Sequence, residues 1–145
     1  MIALSRRRPT SITIFAVAFL AAALLTYIEA LVRIPVALKS ESSFLGLGRD
    51  GLIVWHSAWL SIALIPVAMV WLSAIRFARW MVSIMALFKL AGFLMMLPAL
   101  GLLVRMQPLW LAALPLGLFA VAMLFTPASN HWFKHKGEVD PAVFE

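Results

Sequence analysis

Charged residues stand at the edges of this chain's apolar blocks and almost never inside them. Apolar runs cover 11–32, 52–75, 80–104 and 109–125. Between the first two lies a mixed stretch, 33–51, with Pro35, three glycines and charges of both signs. A helix rises about 1.5 Å per residue, so about 20 apolar residues cross a hydrocarbon layer of about 30 Å. None of the runs shows the strict alternation of a half-buried strand. The pattern predicts an all-α integral membrane protein with four transmembrane helices in an antiparallel bundle. It forms one domain, 1–145, with one long outer loop at 33–51 and a polar tail at 126–145.

Finer features follow from the breaks. Within 33–51 a short interfacial helix is expected around 34–38. The polar groups RFAR at 76–79 and RMQP at 105–108 read as tight turns, which make spans 2, 3 and 4 antiparallel neighbours. Pro108 is well placed in the first turn of a helix, where its missing N–H has no intrahelical partner to lose. Arg6, Arg7 and Arg8 before an apolar block resemble a secretory signal, but the block exceeds the roughly 7–15 residues of a signal core. An uncleaved first span is the expectation. Small residues suited to close helix packing are Ala16, Ala22, Ala23, Ala63, Ala86, Gly92 and Gly101.

Composition strengthens this picture without redirecting it. Hydrophobic residues are 64% of the chain and charged residues 12%, against about 25% charged in a soluble domain. The net charge of +6 does not form a basic helix face or groove, which excludes a nucleic-acid partner. Instead the cations sort by side. Arg6, Arg7, Arg8, Arg76, Arg79, Lys134 and Lys136 fall on one face, and Arg33, Lys39, Arg49 and Arg105 on the other. Seven against four puts both termini in the cytoplasm and the protein in the inner (plasma) membrane as a multi-pass chain. Trp55, Trp80, Trp110 and Trp132 lie near the predicted interfaces, as an aromatic belt requires. The absence of cysteine excludes disulfides and thiolate metal sites.

Candidate chemistry is confined to a few polar groups in apolar surroundings. Lys89 lies in SIMALFKLAGFLMM, 83–96, with no other charge. Left charged against lipid at mid-membrane, it would cost about 2.5–3.5 kcal/mol. Its depth matches Ser61 and the Ile62 carbonyl, which Pro66 leaves without a donor. Lys89, Ser61, Ser57 and His56 are therefore the expected buried polar cluster. Glu29, the one acid inside a span, is read as too shallow to reach Lys89. It precedes Arg33 by one helical turn, and these two are the expected interfacial ion pair. His56 alone does not supply a haem with two histidine ligands. His131 and His135 stand one helical turn apart with Glu138 beyond, but Gly137 interrupts the helix, and no metal site is expected. Trp132, Lys134 and Lys136 are expected to anchor the tail at the bilayer surface.

No nucleophile–base pair, paired carboxylates or phosphate loop appears, so no enzyme is expected. GLGRDG at 46–51 follows no strand and is not taken as a nucleotide loop. The expected function is that of a non-catalytic small membrane subunit or accessory protein. It packs against a larger inner-membrane complex or itself, among membrane lipids, and holds lipid, quinone or pigment between helices. The alternatives are a small homo-oligomeric transporter or channel using Lys89, and a haem- or quinone-associated membrane anchor.

Overall fold

The computed structural model describes residues 9–39, 46–73 and 76–134. Among these the chain is helical throughout: α1 (Thr10–Lys39), α2 (Arg49–Ser73), α3 (Arg76–Met96), a single 3₁₀ turn (Leu97–Ala99), α4 (Leu100–Met106), α5 (Pro108–Met123) and α6 (Pro127–Lys134). Three segments are long and apolar enough to cross a membrane: Thr10–Lys39, Arg49–Leu72 and Arg76–Met106. A fourth exists if α5 and α6, bent by 57° at their junction, count as one. This is a helical membrane protein.

Two boundaries differ from the sequence pattern. The first helix does not stop at residue 32 but runs 30 residues, through Pro35, to Lys39. A proline inside a helix removes one hydrogen bond, to the residue four back, without ending a helix that is otherwise supported. α2 likewise begins at Arg49, so much of the expected 33–51 loop is helix. RFAR is not a turn either. Arg76 to Arg79 form the first turn of α3. The third apolar run is itself broken, because Pro98 sits in the 3₁₀ turn that separates α3 from α4.

α1 is the hub of the packing, lying against both α5 and α2, while α3 packs on α2 and α5. The contact between α1 and α5 is lined by small residues, with Ala18, Ala22, Ala23, Ala113 and Ala120 buried. A Cβ added to Gly117 would stand 3.8 Å from that of Ala22. Of the expected packing residues, Ala22, Ala23 and Ala86 are buried, whereas Gly92 and Gly101 face open space with nothing within 4 Å of an added Cβ. Those two glycines are not packing positions.

The densest part of the core is at the end where α1 begins. Ile12, Phe15 and Phe19 of α1 meet Val70, Val82 and Leu124 there, together with Trp132 and Phe133 of α6. The bend after α5 folds α6 back onto this end instead of leaving it on a membrane surface. Trp132 is only 7% exposed and Phe133 only 2%, so Trp132 packs the bundle and is not the expected anchor. Lys134 is exposed, and Lys136 lies outside the described residues. Polar contacts hold α6 in place. Arg76 donates from Nε to the Phe133 carbonyl at 3.1 Å and from Nη2 to that of Lys134 at 3.3 Å, satisfying the helix's C-terminal acceptors. Arg79 donates to Asn130 Oδ1 at 2.6 Å, with its guanidinium 3.8 Å above the Phe125 ring. Buried Ser129 donates to the Met123 carbonyl at 2.7 Å and meets the Ser11 hydroxyl at 2.9 Å, tying α6 to the start of α1.

Candidate functional site

Away from that dense end, α1, α2, α3 and the start of α5 line a half-open cavity of about 840 Å³. Sites for small molecules run from about 300 to 1,000 Å³. The space arises from helical stripes of residues. On α1, Ala23, Ala30 and Ala37 recur every seventh residue, which puts three methyl groups in line on one face. Ala63 does the same on α2, in register with Leu52, His56 and Trp59. Where larger side chains would have filled the gap between helices, alanines leave it open.

The walls combine apolar bulk with convergent polar groups. Trp59, Met85, Phe88 and Trp110 supply aromatic and thioether surface. Tyr27, Glu29 and Arg33 contribute from α1, His56 from α2, Lys89 from α3 and Gln107 from the α5 entrance. Lys89 also lines a small apolar pocket of about 20 Å³ that runs between Phe19, Ala22 and Gly117. It thus stands where the two spaces meet.

Glu29 has a definite task. It is 7% exposed, and its Oε2 accepts the Leu109 backbone N–H at 2.7 Å. Leu109 is the second residue of α5, whose N-cap residue, Gln107, makes no side-chain capping bond. The first N–H groups of a helix have no intrahelical acceptor, and the helix dipole places partial positive charge there. A carboxylate reaching across from α1 therefore caps α5 and neutralises its own burial. Among the described residues it forms no ion pair with Arg33, the partner expected from their spacing. The helix start is the stronger demand, because the Leu109 N–H points at the acid and the Gln107 side chain does not answer it.

The expected cluster of Lys89, Ser61, Ser57 and His56 is only partly assembled. Lys89 and His56 share the cavity. The serines do not join them. Ser57 meets the Tyr27 hydroxyl at 3.1 Å, and Ser61, exposed, donates back to the Ser57 carbonyl at 3.0 Å. That local bond one turn back is the usual resting place of a helical serine. Lys89 has no hydrogen-bond partner among the described residues. Glu29 lines the same cavity as Lys89, but its bond goes to Leu109 and not to Lys89. Tyr27, Gln107 and the alanine stripe were not singled out from the sequence, although the sevenfold spacing of Ala23, Ala30 and Ala37 is legible there.

Among the described residues no group of three or more His, Cys, Asp or Glu is placed to hold a metal ion. His131 is exposed on α6, and His135 and Glu138 lie outside the described residues. Comparison with protein-family models, with curated proteins and with solved structures gives no match.

Proposed function

We propose that this protein is a small, non-catalytic integral membrane subunit that holds an amphipathic, lipid-class molecule between its helices. The observation that carries this reading is the cavity itself: large, mostly apolar, and lined by a few polar side chains. Its outer faces serve as contact surfaces for lipid and for other membrane subunits of a larger inner-membrane complex. Leu87, Phe88 and Met95 are 65%, 74% and 80% exposed, as a helix meeting acyl chains or a neighbouring subunit requires.

In this reading the bundle has four antiparallel spans, with both termini in the cytoplasm. Two bonds support the count. Ser11 meets Ser129 just beyond α5, and Glu29 meets Leu109 at its start. Ser11 and Glu29 are eighteen residues apart on α1, about 27 Å of rise, so α5 runs back along nearly a full hydrocarbon thickness. α5 is 16 residues long, about 24 Å, and a slightly short span of this kind is met by local thinning of the bilayer.

The test is to fill the space. Ala63→Trp places an indole in the cavity from the α2 wall. After purification in mild detergent, native mass spectrometry is expected to find the wild-type chain with a retained amphiphile and the Ala63→Trp chain without one, at unchanged secondary structure. Equal retention by both chains, or none by either, would remove the basis for this function.

A second reading has one observation in its favour. His56 and Met85 line the same cavity, and a His/Met pair is a haem ligand set. A Soret band in the purified protein, lost in His56→Ala, would select a haem-associated membrane anchor instead.

A further inference from the structure

We infer that the cavity is selective for an amphiphile with an anionic head, a carboxylate or a phosphate monoanion, held between Lys89 and Arg33 with its tail along the Trp59 and Met85 wall. This rests on the proposed lipid-holding function and adds the charge of the ligand to it.

The charge count around the space decides the sign. Two basic side chains, Lys89 and Arg33, line the cavity, and the His56 imidazole adds a hydrogen-bonding group. Glu29 is the one acid among the lining residues, and its Oε2 is engaged by the Leu109 N–H at the positive end of α5. What remains is a net positive apolar chamber. Neither Lys89 nor Arg33 forms an ion pair among the described residues; Arg33 is half-buried, and Lys89 is exposed on the open side of the cavity. An ammonium in hydrocarbon surroundings is unfavourable until an anion meets it. A neutral lipid would leave that cost standing, and a cationic one would add to it.

The shape agrees with a single-tailed molecule. The alanine face of α1 offers a smooth track of about 21 Å from Ala23 to Ala37, along which a single chain can lie. The polar groups come from α1, α2, α3 and the start of α5 and so meet a head from several sides, while Trp59, Met85 and Trp110 leave apolar wall for a tail. Arginine matches the planar fork of a carboxylate or phosphate, while Lys89 acts as a point charge.

The experiment pairs probes that differ in charge alone, using the full chain in mild detergent. Palmitate is compared with hexadecanol, and lysophosphatidylglycerol with lysophosphatidylcholine, by titration and native mass spectrometry. In each informative pair the anionic probe is expected to bind at least about tenfold more tightly. Lys89→Met and Arg33→Gln should each erase most of that preference, while Lys89→Arg keeps it and shows that the position tolerates substitution. A preference confined to the palmitate pair identifies a carboxylate ligand, and one confined to the lysolipid pair a headgroup read by its net charge, since both lysolipids carry a phosphodiester. Charged and neutral probes binding equally, with Ala63→Trp blocking both, would overturn the anion selectivity and leave the lipid-holding function intact. No binding by any probe would overturn both together.

Discussion

Glu29→Ala is expected to lower the stability of the purified protein by about 2–3 kcal/mol, the largest loss from any single polar substitution in the bundle. The figure follows from what the carboxylate does. A hydrogen bond to a charged group contributes about 1.5–3 kcal/mol, and a buried donor left unanswered costs about 1–3 kcal/mol. Leu109 N–H is such a donor, at 2.7 Å from Oε2. Gln107 makes no capping bond of its own to take over, so the Leu109 N–H is left without a protein acceptor. Glu29→Gln keeps an acceptor oxygen but gives up the charge that answers the helix dipole, so it should lose about half as much. Thermal unfolding in detergent measures the stability. Hydrogen exchange locates it, since the amides at the start of α5 should exchange faster in Glu29→Ala while those of α2 do not. Unchanged protection at Leu109 would show that α5 is capped in another way.

Ala22→Leu is expected to pry α1 from α5, at a cost of about 1–3 kcal/mol, the range for added bulk in a packed interior. The argument is geometric. Ala22 is 4% exposed, and the opposing position is Gly117, where even one added carbon would come to 3.8 Å of the Ala22 methyl. Membrane helices do not associate by the hydrophobic effect, since lipid tails are as apolar as leucine, so close van der Waals approach supplies most of the attraction. Three extra carbons at Ala22 remove that approach along the longest contact in the molecule. Gly117→Ala supplies the contrast: its methyl finds ordinary contact distance and should be neutral within about 0.5 kcal/mol, the range of substitutions that disturb no packing. Melting of both variants in detergent, with cysteine cross-linking between α1 and α5 to report their separation, distinguishes local crowding from general damage.

How much of this was legible in the amino-acid sequence depends on which force set each feature. Long apolar runs and charges at their edges foretell helices suited to a membrane, because burial in hydrocarbon acts on every residue of a run at once. Ends of helices were less legible. Pro35 and the charges around it resemble a stop, yet α1 continues to Lys39, since one lost hydrogen bond weighs little once both sides are helical. Pro98, inside an unbroken apolar run, marks a real break that hydropathy alone does not register.

Partners of polar groups were the least legible, because they depend on which helix faces which. Arg33 is the near neighbour of Glu29 in sequence, but the uncapped start of α5 is the nearer need in space. The clue lies in the sequence: Glu29 is one turn from Arg33 and Pro108 follows Arg105, and those two arginines sort to the same face. Trp132 misled for a different reason. Its sequence surroundings, with His131 and Lys134, are those of a surface anchor, and only the 57° bend turns its face inward.

The account stands on the cavity between α1, α2, α3 and α5 being an occupied binding site. The most direct measurement is photolabelling of the intact protein in lipid nanodiscs with a palmitate analogue that carries a diazirine in its acyl chain, followed by peptide mapping. We predict label concentrated on cavity residues such as Ala30, Leu60 and Met85, displaced by unmodified palmitate. Label spread over the outward-facing Leu87, Met95 and Val104, and indifferent to competitor, would contradict it.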